Sequence, residues 1–482
     1  MYIKELSSHH DSIVNRRPAP EGATVTLPTT SVSRPMTRLS LSRGKVSESA
    51  SLDESVEVGG SAHGTFRSTK SRVLLDTCSA ILNRGGVAAL VPSGASDAYF
   101  HSIAEQVEGF AATRSDSSAV PPGGILALPT SGSTGLPKLV ALPAAGIAQF
   151  VGWGGDRFGF GPDTVSLSLS PWNFDVSLLD TWAVLASGGT VVAADEARLY
   201  DAVYLAGILT RHEPTFIQVV PSTLDALVTA GSGSAAFPSV RDVVLTGGAV
   251  ARSRRAAAAQ MFPAASFHNV YGSTEVNDCL IETFDAQQFS TMETLPLGSP
   301  IPGCSVYVDA SGVLHQMDNT SGRADGELLV RTPWQAVGYI REGRHSPLPA
   351  TSENLFPTKD RVSLRCGQLM YVGRRDRTIK IRGQRVNLED VEHSALRTAL
   401  VGMSCAWLET STSGESLHLA YTAPGEADAA VTGLELRVAM SAHLPAYAMP
   451  NHLHAFSGPF PVNGNGKPDL HSIKSQLESA RS

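Results

Sequence analysis

The sequence predicts an α/β protein in which a large first domain is followed by a smaller α+β domain. Three observations support this fold class. Apolar segments of strand length alternate with helical segments between residues 72 and 295, and shorter strands and turns follow. A further set of helices and strands begins after residue 376. At 482 residues, the chain is also longer than a single hydrophobic core usually allows.

The first 70 residues are rich in Ser, Thr, Arg, Pro and Gly and contain few large apolar side chains. This composition buries too little surface to offset the entropy of ordering, so we expect residues 1–70 to form a mostly disordered tail. From Arg72 the apolar residues have helical spacing. Gly85 and Gly86 then precede the apolar run 87–91, which is typical of a buried strand.

The same alternation of helix and strand continues along the large domain. We expect further buried strands at 125–128, 190–193, 216–220 and 243–246, and a helix over 199–212. After Leu295, strand candidates separated by turns predict a β-rich subdomain. These candidates lie at 306–308, 326–330, 362–366 and 369–372.

The last part of the chain has the size of a small domain. Helices are predicted near 388–400 and 433–443, and a strand near 416–422. We therefore expect a tail over 1–70, a large domain over 71–375 and a small domain over 376–482.

Composition and charge exclude several classes of protein. The formal net charge of −7 gives no sign of a nucleic-acid partner, and no apolar run approaches the roughly 20 residues of a membrane span. The five cysteines are scattered, as is typical of a reducing compartment. The N-terminus lacks the apolar segment of a secretory signal. We expect a cytoplasmic protein without a membrane or nucleic-acid partner.

A hydroxyl-rich and glycine-rich segment follows the strand candidate at 125–128. Its glycines let backbone N–H groups approach phosphate oxygens, its hydroxyls donate further hydrogen bonds, and its lysine adds positive charge. The segment predicts a triphosphate loop, although an ordinary Ser/Gly turn is the alternative interpretation, and the Walker A pattern is absent. The candidate ligands are Thr130, Ser131, Gly132, Ser133, Thr134, Gly135 and Lys138.

With this loop and several later motifs, the sequence closely resembles the adenylate-forming (AMP-binding) superfamily. That superfamily includes peptide-synthetase adenylation domains, D-alanine carrier-protein ligases, acyl-CoA ligases and luciferases. The resemblance covers roughly residues 72–475 and implies a large N-terminal α/β domain with a β-rich subdomain, plus a small, mobile C-terminal α+β domain. The later motifs are Asn173-Phe174-Asp175-Val176-Ser177, Tyr271-Gly272-Ser273-Thr274-Glu275, Gly326-Glu327-Leu328, Gly338-Tyr339, Asp360, Gly373-Arg374-Arg375-Asp376, Lys380-Ile381-Arg382-Gly383 and Asn465-Gly466-Lys467.

The resemblance implies ATP and Mg²⁺ as cofactors. Tyr271 matches the tyrosine whose ring stacks on adenine, Asn269 lies where the base edge is bound, and Gly272 belongs to the same nucleotide motif. Thr274 would contact the α-phosphate. Glu275 would hold Mg²⁺, which neutralises charge on the triphosphate.

The resemblance also assigns residues near the domain boundary. Asp360 matches the aspartate that accepts both ribose hydroxyls, with Arg374 reinforcing it, although the usual Thr-Gly-Asp is Thr358-Lys359-Asp360 here. Lys467 matches the lysine that bridges the substrate carboxylate and the α-phosphate and stabilises charge in the transition state. Asp376 matches the hinge between the adenylating and thioester-forming poses, in which Gly383 would line the thiol channel.

Asp175 is the most informative residue for the substrate. Peptide-synthetase domains place an aspartate there to pair with the α-ammonium, so the resemblance implies an amino acid; the alternative is an aspartate that caps a helix over 176–187. Gln218 and Asp278 favour a polar or basic side chain, whereas the stretch 174–180 resembles D-alanine ligases and keeps a small amino acid open. The implied pocket residues are Asp175, Val176, Leu179, Gln218, Leu245, Gly247, Val270, Asp278 and Cys279.

The acceptor thiol is expected on a separate carrier protein, because no carrier segment follows Lys467. Two alternatives remain. One is an acyl-CoA ligase that uses free CoA. The other is a catalytically silent paralogue that only binds a partner, which is motivated by an N-terminal region of only about 55 ordered-looking residues before the phosphate loop.

Overall fold

A computed structural model describes the chain from Leu41 to Ser479, with gaps. In these described parts, no helix is both long and apolar enough to cross a membrane. The described residues are 41, 44–47, 63–114, 120–130, 138–199, 201–230, 236–248, 250, 252–317, 323–374, 377–381, 383–398, 400–411, 414–422, 432–456, 460–461 and 468–479.

The secondary structure alternates between helices and strands up to about residue 284 and is mostly strands from there to residue 387. The strands are β1 Lys45–Ser47, β2 His63–Arg67, β3 Val87–Val91, β4 Ile125–Thr130, β5 Lys138–Pro143, β6 Val165–Ser168, β7 Thr190–Ala193, β8 Phe216–Val219, β9 Asp242–Leu245, β10 Ser266–Ser273, β11 Asn277–Phe284, β12 Ser299–Pro300, β13 Ser305–Ala310, β14 Val313–Gln316, β15 Ala324–Arg331, β16 Gly338–Arg341, β17 Arg344–Ser346, β18 Phe356–Arg365, β19 Gln368–Arg374, β20 Thr378–Ile381, β21 Gln384–Asn387, β22 Met403–Ser411, β23 Gly414–Thr422 and β24 His452–Ala455. The helices are α1 Arg72–Asn83, α2 Asp97–Thr113, α3 Ala144–Phe158, α4 Val184–Ala186, α5 Ala202–His212, α6 Pro221–Ala230, α7 Arg252–Met261, α8 Ala286–Thr291, α9 Leu388–Arg397, α10 Gly433–Met440 and α11 Leu470–Ser479, with a π-helix at Leu178–Ala183 and short 3₁₀ turns at Glu196–Arg198 and Ala446–Ala448.

The central sheet has the strand order β1-β7-β6-β8-β9-β10-β11-β12 and is parallel from β1 to β10. Its strands contribute alternate residues to two hydrophobic clusters, one on each face; Val191 lies in one cluster and Val192 in the other. This double burial explains the largely apolar sequences of β7 and β9, whereas β6 includes two buried serines, Ser166 and Ser168. The carboxyl ends of β6, β8 and β9 therefore meet at one edge.

Two further sheets complete the large domain. One has the order β17-β16-β5-β4-β3-β2, and β3 and β4 are again buried on both faces. The other is a five-stranded sheet, β14-β13-β15-β18-β19, which matches the β-rich subdomain expected after Leu295. Strands β18 and β19 of this sheet carry Asp360 and Arg374 to the candidate site.

The C-terminal part begins with the two-stranded hairpin β20–β21, followed by α9 and the sheet β22-β23-β24. Residues of α9, β22, β23 and α10 share one hydrophobic cluster, which includes Val391, Leu419 and Leu436. The expected helices near 388–400 and 433–443 are confirmed with slightly earlier ends. The domain boundary at residue 376 stays a prediction, because Asp376 lies outside the described residues.

The expectation of a disordered tail up to residue 70 is wrong for two segments. Strand β1 pairs in parallel with β7 at the edge of the central sheet, and β2 pairs with β3 in the six-stranded sheet. The guanidinium of Arg72 donates to the carbonyls of Leu41 and Gly44, and Leu41 is buried. Backbone pairing at a sheet edge needs few apolar side chains, so composition alone did not reveal these strands.

Candidate active site

A cavity of about 330 Å³ lies at the carboxyl ends of the central strands. Such an edge of an open α/β sheet is the usual place for a ligand. The hairpin β20–β21 and Tyr447 contribute to its walls, so both parts of the chain form it. Of the expected site residues, those on its wall are Thr130, Asp175, Val176, Gly247, Gly272, Thr274, Asp278, Asp360 and Arg374.

Asp360, Tyr271 and Arg374 form a connected group at one end of the cavity. The Tyr271 hydroxyl donates to Oδ2 of Asp360 at 2.5 Å, and Nη1 of Arg374 donates to Oδ1 at 2.6 Å. Arg374 also donates to the Thr358 carbonyl at 3.2 Å. Burial, together with the charge of Asp360, raises the pKa of Tyr271, which keeps its hydroxyl protonated as a donor. Both carboxylate oxygens of Asp360 thus have partners.

The backbone at Lys359 shows how the chain accommodates a lysine in place of the usual glycine of Thr-Gly-Asp. Its φ is 64°, in the left-handed region that favours glycine. The Lys359 N–H donates to Glu327 Oε1 at 3.0 Å, and the Asp360 N–H donates to Thr358 Oγ1 at 3.1 Å. These bonds hold the turn that presents Asp360, so a lysine occupies a conformation that a glycine would adopt without strain.

Glu275 is 1% exposed and is surrounded by donors. Nζ of Lys138 lies 3.3 Å from Oε1, the hydroxyl of Tyr339 donates to Oε1 at 3.1 Å, and Nη1 of Arg385 lies 3.2 Å from Oε2. Burial raises the pKa of Glu275, but Arg385 and Lys138 outweigh it and hold the pKa at about 2. Glu275 is therefore an ionised carboxylate inside the protein.

The bend between β10 and β11 carries Thr274 to the cavity wall, and Glu275 follows it. The pairing register shifts between Tyr271 and Gly272, as a β-bulge does when it redirects side chains. A Cβ at Gly272 would lie 2.3 Å from the Asn277 carbonyl oxygen, so this bend requires glycine. Asn269 donates to the Pro296 carbonyl at 2.7 Å.

Asp175 and Asp278 are two acidic groups on the wall of the same cavity. Oδ1 of Asp175 accepts from the Thr274 hydroxyl at 3.2 Å. Burial raises the pKa of Asp175 to about 6. Burial, and then the charge of Asp175, raises the pKa of Asp278 to about 8. Each buried carboxylate is therefore costly to keep charged on its own, and a bound cation would stabilise its charged form.

The other expected pocket residues lie behind this wall. Gln218 is fully buried, and neither of its side-chain polar atoms has a hydrogen-bond partner in the described structure. Cys279 approaches the Tyr271 carbonyl at 3.5 Å. Leu179, Leu245 and Val270 are buried in the hydrophobic clusters of the large domain.

The turn of the β20–β21 hairpin lies over the cavity. Gly383 has φ 76°, and a Cβ there would lie 2.5 Å from Cγ1 of Val220, so only glycine fits. The rings of Phe174 and Tyr447 meet edge to face at 5.6 Å. Gly383 is also on the cavity wall, which is where we expect the thiol channel.

Some expected residues cannot be placed. Ser131, Gly132, Ser133, Thr134 and Gly135 lie outside the described residues, and so do Lys467 and Asp376. Thr130 and Lys138 bracket the loop and are directly paired in the β4–β5 hairpin.

Sequence reasoning missed Arg385 and gave no role to Tyr339. Arg385 follows the turn glycine Gly383 by two positions, so a basic residue just beyond a hairpin turn was the available signal. Its partner Glu275 is 110 positions earlier in the sequence, and no local pattern connects them.

Comparisons with known proteins identify the family of this chain. The family model for AMP-binding enzymes matches residues 75–340, which is more than half of the chain. An L-proline–[L-prolyl-carrier protein] ligase of Streptomyces coelicolor is 32% identical over 358 residues, covering 73% of this chain and 66% of the ligase. The phenyloxazoline synthase MbtB of a Mycobacterium species is 32% identical over 368 residues, covering 72% of this chain and 30% of the synthase.

Two solved structures show the same fold. The adenylation domain AlmE of Vibrio cholerae, in complex with glycyl-adenosine-5′-phosphate, has a TM-score of 0.62 at 22% identity and covers 73% of this chain and 66% of that one. A nonribosomal peptide synthetase protein with adenylation and PCP domains has a TM-score of 0.66 at 20% identity and covers 86% and 75%. This chain spans just under two thirds of the prolyl ligase and under a third of the synthase. It belongs to the AMP-binding enzyme family.

Proposed function

We propose that the protein activates an amino acid with ATP and transfers it to a thiol. The carboxylate oxygen of the amino acid attacks the α-phosphorus, which forms aminoacyl-AMP and releases pyrophosphate. A thiolate then attacks the acyl carbon, which forms a thioester and releases AMP. One observation supports this most strongly: Asp175 and the Asp360–Arg374 pair lie on the walls of a single cavity.

Asp360 and Arg374 support ATP as the ligand at one end of the cavity. Asp360 would exchange the Tyr271 hydroxyl for the ribose hydroxyls, and Arg374 would remain beside it as a cation. Lys138, with the loop 131–135, would bind the phosphates, and Thr274 would donate to the α-phosphate. Lys467 would add positive charge where negative charge builds up in the transition state.

Glu275 is the residue that would hold Mg²⁺. Magnesium binds through one or two carboxylates and the substrate phosphates, and Glu275 is ionised, buried and already beside cationic groups. The bound ion would neutralise charge on the triphosphate. Arg385 lies at this carboxylate and would have to withdraw from it.

Asp175 would pair with the α-ammonium of the substrate. A carboxylate whose pKa burial raises gains most from a cationic ligand, and the ammonium would replace the Thr274 hydroxyl as the partner of Asp175 when that hydroxyl turns to the α-phosphate. Asp278 supports a polar or basic side chain on the substrate. A small amino acid is the second candidate, because the similar structure from Vibrio cholerae contains a glycyl adenylate.

A separate carrier protein is the proposed acceptor, and free CoA is the alternative. The similar ligase of Streptomyces coelicolor is named for a carrier protein, and a similar solved structure contains a PCP domain.

Pyrophosphate exchange tests the first half-reaction. The protein is incubated with ATP, labelled pyrophosphate and each amino acid or des-amino acid in turn, and we expect exchange with one class of amino acid. The adenylate is then offered a phosphopantetheinylated carrier protein or free CoA, and the thiol that accepts it identifies the second half-reaction. Absence of exchange with every acid would favour a silent binding paralogue.

A further inference from the structure

The short segment Ser68-Thr69-Lys70 between β2 and α1 contacts the loop that carries Asp175. We define the Asp175 loop as residues 169–177, which connect β6 to the π-helix. We propose that Ser68 and Lys70 are positioning residues that hold the Asp175 loop in the geometry needed to bind the amino acid. This inference rests on the proposed function and extends it to residues outside the family motifs.

The two contacts hold the loop at two points. Nζ of Lys70 donates to the carbonyl of Ser168, the last residue of β6, at 2.9 Å. Oγ of Ser68 donates to Oδ1 of Asn173 at 3.0 Å. Asn173 is two residues before Asp175, so one contact holds the point where the loop leaves the sheet and the other holds a side chain close to the carboxylate. Ser68 is fully buried and Lys70 is 8% exposed, so water does not compete for these bonds.

Buried ionisable groups near the Asp175 loop add to the restraint from these two contacts. Asp180 lies just after the loop and is fully buried; its Oδ1 accepts from the Thr181 hydroxyl at 2.7 Å, and its Oδ2 has no hydrogen-bond partner in the described structure. Burial lowers the pKa of Lys70, while Glu196, Asp180 and Asp195 raise it. Lys70 is therefore a buried amine near acidic groups, and its charge opposes the rise that burial causes in the pKa of Asp180 and of Glu196.

Glu196 connects this charge cluster to the cavity. Glu196 lies on the cavity wall. Burial raises its pKa, and the charge of Lys70 opposes this rise. Its Oε2 accepts from the Ser93 hydroxyl at 3.1 Å. The nucleotide end depends on different elements, because Asp360 and Arg374 are on β18 and β19. Loss of the segment's contacts should therefore affect the amino acid more than ATP.

The test uses Ser68→Ala and Lys70→Met, with Lys45→Met as the matched control because Lys45 is an exposed lysine of the same N-terminal region. Pyrophosphate exchange is measured while the amino acid and ATP are varied separately. We expect KM for the amino acid to rise at least tenfold in Lys70→Met and severalfold in Ser68→Ala, since small displacements of binding groups have effects of this size. KM for ATP should change less than twofold in both variants.

Hydrogen exchange gives a second measurement that does not need activity. Peptides that cover residues 169–177 should exchange faster in both test variants than in wild type and Lys45→Met, while peptides from β18 and β19 are unchanged. If Lys70→Met does not fold, Ser68→Ala carries both measurements. Equal changes in the two KM values, or unchanged protection of the Asp175 loop, would overturn the inference. Unchanged protection of the Asp175 loop would overturn the inference but leave the proposed function intact. The proposed function fails only if wild type supports no pyrophosphate exchange.

Discussion

Nη1 of Arg385 lies 3.2 Å from Oε2 of Glu275, so a residue of the hairpin β20–β21 forms an ion pair with the carboxylate proposed to hold Mg²⁺. The side chain of Glu275 is 2% exposed and that of Arg385 is 28% exposed, so this contact is less exposed to solvent than a surface salt bridge. The ion pair and the metal require the same carboxylate. If Mg²⁺ took Glu275, Arg385 would have to withdraw, so we expect this hairpin position to favour thioester formation over adenylation.

Arg385→Ala tests whether this ion pair stabilises the later pose. We expect thioester formation to fall roughly tenfold while pyrophosphate exchange stays within twofold of wild type, because the pair is absent when Mg²⁺ occupies Glu275. Single-turnover transfer to the carrier protein and pyrophosphate exchange are the two measurements. Arg361→Ala is the control, since Arg361 is exposed on β18. A tenfold loss of pyrophosphate exchange would contradict the prediction.

Asp175→Asn tests the proposed recognition of the ammonium. The change keeps the shape and removes the charge, so use of the amino acid should fall by at least about a hundredfold, as when a buried charge loses its partner. Use of the des-amino analogue should change little, because that acid has no ammonium. The ratio of kcat/KM for the two acids is measured by pyrophosphate exchange. If both acids lose activity equally, Asp175 has a structural role.

The pKa of Asp175 predicts a pH dependence of amino acid binding. Burial raises this pKa to about 6 in the free protein, so the carboxyl is neutral below that pH and ionised above it. Because the ammonium binds the ionised form, KM for the amino acid should increase by up to about tenfold for each pH unit below 6; above that pH, any further change would come from Asp278, whose pKa is raised to about 8. KM is measured from pH 5 to 8 with wild type and Asp175→Asn. The variant should lack this rise, and an identical rise in both would assign the titration to another group.

The two-face burial of the central strands made much of the fold predictable. Val87–Val91 of the six-stranded sheet is buried throughout and coincides with its apolar run, and Thr190–Ala193 of the central sheet has the bounds expected from its sequence. Strand β1 was missed because an edge strand depends on backbone pairing that leaves little compositional signal. The ion pair of Arg385 and Glu275 was missed because it joins distant parts of the chain. Burial and charge at the site were inferred only through the family motifs.

Lys359→Gly tests whether the turn before Asp360 is strained. Lys359 has φ 64°, which an L residue adopts at a cost of about 1 kcal/mol or more. Glycine removes that cost but has a more flexible unfolded state, so we expect a net stabilisation of about 0.5 kcal/mol. Urea unfolding measures the free energy of unfolding. Lys359→Ala keeps the positive φ and serves as the control for loss of the side chain, so equal stability of Ala and Gly variants would show that strain is absent.

Two N-terminal deletions separate the part of the tail that carries strands from the part that precedes Leu41. Deletion of residues 1–40 should leave pyrophosphate exchange and the melting temperature nearly unchanged, because those residues contain few large apolar side chains and match none of the family motifs. Deletion of residues 1–67 also removes β1 and β2, which pair with β7 and β3. It should lower the melting temperature and the yield of folded protein, since the edges of two sheets lose their outer strands and Leu41 no longer covers the core. Thermal unfolding and exchange activity are measured on both deletions. If both behave as wild type, β1 and β2 contribute nothing to stability, whereas an equal loss in both would place an essential contribution within residues 1–40.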